Sequence, residues 1–164
     1  MPSPPLQVIL FEPEIAANAG AIGRTCVAVG AALWLVRPLG FHLDDRMVRR
    51  AGLDYWEHLN LRIVDSLDEV VAAIGIDHLW WFSTKSTHLY TEAVFHAGDG
   101  LIFGPESRGL PVRRVTEARE RALRIPMRPE ARSLNLANAA AVGLYEAVRQ
   151  VGFGNSPAVG DLPS

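Results

Sequence analysis

A chain of 164 residues that is 49% hydrophobic has the material for one well-packed domain, and a second folding unit is not expected. Its net charge of −2 argues against a general nucleic-acid binder, which needs a basic excess to neutralise phosphates. No unbroken apolar run reaches the roughly 20 residues of a membrane span, and the opening MPSPPLQVIL lacks the charged start and cleavage site of a secretory signal, so a cytoplasmic protein is expected.

In chain order, strands and helices alternate. LQVILF, Leu6–Phe11, is a short apolar run of the buried-strand type, and EPEIAAN then leads into a helix over Asn18–Val29. Ala31–Val36 repeats the strand signal and ends at Arg37-Pro38, because proline removes a ladder donor. A short polar helix around Asp44–Ala51 precedes a strand at Leu61–Val64. The next helix, Ser66–Ile74, opens with Ser66 and Glu69 spaced for a capping box. His78–Thr84 and Gly100–Gly104 read as buried strands, and Ala122–Pro126 as a last short one. The terminal helix, Asn135–Val151, carries Leu136, Ala140, Gly143, Leu144, Ala147 and Val151 at steps of three and four, an apolar stripe whose small residues permit close packing. This alternation predicts a single α/β domain over residues 1–164 with a mostly parallel sheet flanked by helices, fraying from Gly152 onward.

Several residue types narrow the chemistry. Cys26 is the only cysteine, so no internal disulfide forms and a small buried side chain is expected. His42, His58, His78, His88 and His96 show no zinc-ligand spacing, and no metal is expected. Positive charge is nearly all arginine, Lys85 being the sole lysine. It clusters at Arg46, Arg49 and Arg50 and again at Arg108, Arg113, Arg114, Arg119 and Arg121. Guanidinium forks grip phosphates bidentately, yet the same arginines could equally pair with Asp44, Asp45, Glu117 and Glu120 on solvated faces. Trp80 and Trp81 lie in a predicted strand and are assigned to the core.

Three stretches stand at the carboxyl ends of strands or at helix entrances, where parallel sheets bind ligands. NAGAIGRT, Asn18–Thr25, lacks both the dinucleotide spacing of glycines and a Gly-Lys-Ser/Thr ending. It offers Asn18 to start a helix and Arg24 about two turns in. IFGPESRGLP, Ile102–Pro111, makes a stiff turn with bare backbone at Gly104 and Gly109, suited to a flat ring and a ribose held by main-chain groups; a tight strand-to-helix connection is the alternative. ARSLNLANAAAVGLYEAVRQ, Ala131–Gln150, sets Ser133, Asn135 and Asn138 at one helix entrance. A cap needs only one of them.

In this order and near these separations, NAGAIGRT, LIFGPESRGLP and RSLNLANAAAVGLYEA resemble the three motifs of the SPOUT-class RNA 2′-O-ribose methyltransferases. ILFEPEIAANAGAIGRTC and RRAGLDYWEH are similar in particular to the small subfamily that methylates the wobble nucleotide of transfer RNA. The resemblance spans about Val8 to Phe153. It implies a trefoil knot in the C-terminal part, a homodimer, and a pocket for S-adenosyl-L-methionine lined by Ser83, Thr84, Gly104, Glu106, Gly109, Ile125, Met127, Ser133 and Leu134. Asn18, Arg24, Ser133 and Asn135 would face the ribose.

Methyl transfer from a sulfonium demands positioning and loss of the 2′-hydroxyl proton. The resemblance assigns the proton to Arg24, although a guanidinium ordinarily stays charged up to about pH 12. Two versions follow: Arg24 loses a proton once RNA binds, or it stays cationic and stabilises the alkoxide while gripping a phosphate. Asn135 and Ser133 would orient the ribose. No appended RNA-binding domain is expected in so short a chain, so the transfer RNA would be held by the dimer surface, with Arg46, Arg49, Arg50 and Arg114 as candidates. The competing readings are an enzyme acting on ribosomal RNA and a non-catalytic module that binds an adenine ligand or RNA.

Overall fold

The computed structural model describes residues 4–44 and 55–153. The chain forms β1 (Leu6–Phe11), α1 (Ala16–Val29), β2 (Ala32–Val36), β3 (Leu61–Val64), α2 (Leu67–Ile74), β4 (Leu79–Phe82), β5 (His88–Leu89), β6 (Asp99–Phe103), α3 (Val112–Ala118), β7 (Ala122–Arg124) and α4 (Leu136–Val151). All strand pairs are parallel, in the order β3-β2-β1-β6-β4-β7-β5. The chain winds from β1 outward to β3, then returns to build the other half, so the order reverses beside β1, where parallel sheets open a crevice. With β6 inserted between β1 and β4, this order is compatible with the knotted C-terminal part that the resemblance implies.

Burial on both faces explains why the central strands are continuously apolar. Val8, Leu10, Leu33, Leu35, Trp80, Phe82, Leu101 and Phe103 point to one face and pack with α1 and α4 residues such as Ile22, Cys26, Ala140 and Leu144. Ile9, Trp34, Val36, Leu79, Trp81 and Ile102 point to the other and pack with Leu67 and Val70 of α2 and Val115 of α3. The period-2 alternation within each strand therefore sorts side chains between two helical layers. Asp99, buried at the start of β6, is the polar exception. Its carboxylate accepts from Trp80 Nε1 at 2.9 Å and the His96 backbone N–H at 2.9 Å.

The capping box at Ser66 forms as expected: Ser66 Oγ accepts from the Glu69 N–H at 3.4 Å, and the Glu69 carboxylate accepts from the Ser66 N–H at 3.0 Å. Other expectations shift. Asn18 does not start α1, which begins at Ala16 behind an isoleucine that cannot cap it. β4 and β7 end sooner than expected, and His78 belongs to the 3₁₀ turn Ile76–His78 that enters β4. α3 and β5 were not legible in the pattern, being only 7 and 2 residues long. The expected helix around Asp44–Ala51 and most of the glycine-rich tail lie outside the described residues. In α4 the stripe is buried at Leu136, Ala140, Gly143, Leu144 and Ala147, and closes with Val148 rather than Val151.

Candidate active site

The carboxyl ends of β4, β6 and β7 and the N-terminus of α4 enclose a cavity of about 530 Å³. Phe82 and Phe103 form part of its wall, stacked with centroids 4.6 Å apart. α4 comes close to this pair because residue 143 is glycine: a Cβ there would lie 2.9 Å from the Phe82 ring. The loop after β6 folds back on itself at Gly104, where a Cβ would stand 2.3 Å from the Gly109 carbonyl carbon and the Leu110 nitrogen. Backbone meets backbone there, so only glycine fits. Gly109 has φ +68° and open space where a side chain would be, and its N–H donates to the Pro105 carbonyl at 2.9 Å.

A hydrogen-bonded relay joins the three motifs. One Glu106 oxygen, Oε2, accepts from the Glu14 N–H at 2.7 Å; the other, Oε1, accepts from the Ile15 N–H at 3.0 Å and from Asn18 Nδ2 at 3.3 Å. Asn18 Oδ1 in turn accepts from Asn135 Nδ2 at 3.2 Å, and Asn135 Oδ1 caps α4 by accepting from the Asn138 N–H at 3.2 Å. This corrects the reading of Asn18 as a cap. The entrance of α1 is satisfied by a carboxylate about 90 residues further on, which also complements the positive end of the helix. The loop is tied down twice more: Glu14 accepts from the backbone N–H and hydroxyl of Ser107 at 2.9 and 2.6 Å, and Arg108 pairs with Glu12. The two Ser107 bonds hold the Glu14 carboxyl below its ordinary pKa.

The nine residues expected at a cofactor, Ser83, Thr84, Gly104, Glu106, Gly109, Ile125, Met127, Ser133 and Leu134, all line this cavity, as do Asn18 and Asn135. Arg24 does not. Six residues beyond Asn18 on a helix of 3.6 residues per turn, it leaves about 120° away and stacks on Tyr55, 4.7 Å from the ring centroid. Arg114 is also outside the cavity and bonds Asp68 of α2 at 3.2 Å. Arg46, Arg49 and Arg50 fall outside the described residues. Sequence reasoning missed Phe82, Phe103, Leu110 and Leu136 as cavity residues, since each reads as ordinary core. Among the described residues no group of three His, Cys, Asp or Glu is placed to hold a metal ion, and no helix is long and apolar enough to cross a membrane.

A family model described as SpoU rRNA Methylase matches residues 5–145. The chain belongs to the SpoU methylase family. Its relatives include the tRNA (cytidine(34)-2′-O)-methyltransferase of Saccharophagus degradans, 47% identical over 150 residues that make up 91% of this chain and 97% of the relative. Among solved structures, one described as giving structural insights into the 2-OH methylation of C/U34 on tRNA aligns with TM-score 0.82 and 47% identity, over 88% of this chain and 95% of that one. The SpoU methyltransferase AviRb from Streptomyces viridochromogenes, in complex with the cofactor AdoMet, aligns with TM-score 0.79 and 28% identity, over 92% of this chain and 59% of that one. In this SpoU methylase, the cavity, the relay and the helix entrance come from segments that meet only in the fold.

Proposed function

We propose that this chain transfers a methyl group from S-adenosylmethionine to the ribose 2′-hydroxyl of nucleotide 34 of transfer RNA, in the cytoplasm, as a homodimer. The cavity at which all three motifs meet carries the reading. Its lining fits the cofactor: Phe103, Leu110, Ile125 and Leu134 offer apolar walls to an adenine, and Ser83, Thr84, Ser133 and the backbone carbonyl of Gly109 offer polar contacts at the edges. When bound, the cofactor supplies an electrophilic methyl on a sulfonium. The relatives named for cytidine 34 of transfer RNA support the substrate.

The protein's own share is positioning and charge. Ser133 and Asn135 stand exposed at the rim and hold the ribose, while the relay through Asn18 holds Asn135. Both Glu106 oxygens are already taken by α1 and Asn18, so Glu106 organises the site and is not free to accept the hydroxyl proton, which passes to solvent. The Arg24 guanidinium, stacked on the face of Tyr55, stabilises the developing alkoxide as a cation. Because Arg24 lies outside the cavity of its own chain, the partner copy brings its Arg24 to the cavity mouth. Exposed Ile15, Leu134, Val142 and Tyr145 supply apolar surface for that contact. Arg46, Arg49, Arg50 and Arg114 grip the transfer RNA backbone.

The test is transfer of labelled methyl from the cofactor to unmodified transfer RNA, with the labelled nucleotide mapped. Label at the ribose of nucleotide 34 is expected. Label confined to ribosomal RNA would move the substrate, and cofactor binding without transfer to any RNA would leave only a binding module.

A further inference from the structure

Arg24 sits in surroundings that the three motifs do not explain. Its guanidinium carbon lies 4.7 Å from the centroid of the Tyr55 ring, and Nη2 donates to Tyr55 Oη at 3.5 Å. The 3₁₀ turn Trp56–His58, which follows Tyr55, presses on α1 at Gly23. A Cβ at Gly23 would lie 3.2 Å from Leu59 Cδ2 and 3.3 Å from Trp56 Cζ3, tighter than side chains ordinarily pack. The glycine before the arginine therefore has a geometric purpose. It lets the turn approach α1 closely enough that Tyr55 comes over Arg24.

We propose that Tyr55 is a positioning residue for Arg24 in methyl transfer, holding the guanidinium from one face while leaving it charged. A carboxylate would orient the fork as firmly but would cancel the charge that must meet an alkoxide and a phosphate. An aromatic face orients a cation through its quadrupole without neutralising it. Among the described residues, one of the five guanidinium N–H groups is spent on a side chain, the Tyr55 hydroxyl, and the others are left for the substrate. Among the described residues, the ion pairs of the molecule leave Arg24 out. The segment RRAGLDYWEH thereby gains a role: its tyrosine serves the arginine of the first motif.

This inference rests on the part proposed for Arg24 above. The experiment measures kcat, KM for transfer RNA and cofactor affinity for the whole protein carrying Y55F, Y55L, Y55Q or R24A, each with its melting temperature. Loss of the ring in Y55L should lower kcat about tenfold, within the range of a partly desolvated cation–π contact. KM for transfer RNA and cofactor affinity should stay within about twofold, and Y55F, which keeps the ring, should lose less than about threefold. Y55Q supplies a second ringless variant if Y55L melts below the assay temperature. Full kcat in the ringless variants, equal damage in Y55F and Y55L, or a loss confined to KM would each overturn the proposal. If R24A keeps wild-type turnover, the role of Arg24 itself falls and Tyr55 has nothing to serve. If R24A is inactive while Y55L is fully active, Arg24 stands and only the tyrosine is overturned.

Discussion

Asn135 donates from Nδ2 to Asn18 Oδ1 at 3.2 Å, joining residues 117 apart in the chain. The direction of this bond is imposed from both ends. Glu106, bonded to Asn18 Nδ2, can only accept, and the Asn138 N–H, bonded to Asn135 Oδ1, can only donate. Each amide therefore has one orientation that satisfies its neighbours. The relay sets the entrance of α4, with Ser133 just before it, relative to the entrance of α1 and the loop after β6.

Breaking that polarity should be worse than removing the group. Asn18 is only 8% exposed, so Asn18→Ala leaves its partners short of hydrogen bonds at a cost of about 1–3 kcal/mol. Asn18→Asp keeps the size but sets a carboxylate against Glu106. Denaturant melts should rank wild type above N18A and N18A above N18D, and methyl transfer should fall about tenfold or more in both. An N18D protein as stable as wild type would show that the relay has no fixed direction.

Gly104→Ala forces a methyl into backbone atoms 2.3 Å away that have no freedom to move as a side chain would. The loop between Gly104 and Leu110 must open, so cofactor affinity measured by titration calorimetry should drop at least about tenfold. Gly109→Ala meets no atom and costs only the strain of a positive φ, about 1 kcal/mol. Equal effects of the two substitutions would contradict a tight fold-back at Gly104.

Burial pushes the Cys26 thiol up to about 12, from an ordinary value of 9.0. A folded pKa above the unfolded one contributes stability that is fully present below pH 9 and is lost as pH rises from there toward 12. In the native protein iodoacetamide at pH 8 should leave Cys26 unmodified, with stoichiometric labelling in guanidinium chloride. Rapid labelling of the folded protein would show that the α1 face of the core opens locally.

The Ser107 bonds depress the folded pKa of Glu14, so the sign is opposite. Their contribution is present above the unfolded carboxylate value of 4.5 and fades as pH falls through the lower folded value. Ser107→Ala removes the hydroxyl bond and leaves the backbone one. The variant should differ little from wild type in stability at pH 3 and lie below it at pH 7, by a small margin because Glu14 is solvated. A gap that widens toward acid pH would reverse this account.

The amino-acid sequence by itself determined the layered α/β architecture and the chemical character of the three stretches. Those properties are local: short continuous apolar runs declare a buried strand, Ser66 and Glu69 declare a helix start, and Gly104-Pro105 declares a turn. Tertiary structure decided which groups meet. α1 opens behind an isoleucine because a glutamate from the loop after β6 caps it, and no window around Asn18 contains that glutamate. Arg24, two turns from Asn18 in sequence, leaves the helix in another direction and stacks on Tyr55, because helical phase and the space at Gly23 govern direction while proximity in the chain does not. Phe82 and Phe103 looked like core and are core; the ends of parallel strands turn core residues into the wall of a cavity.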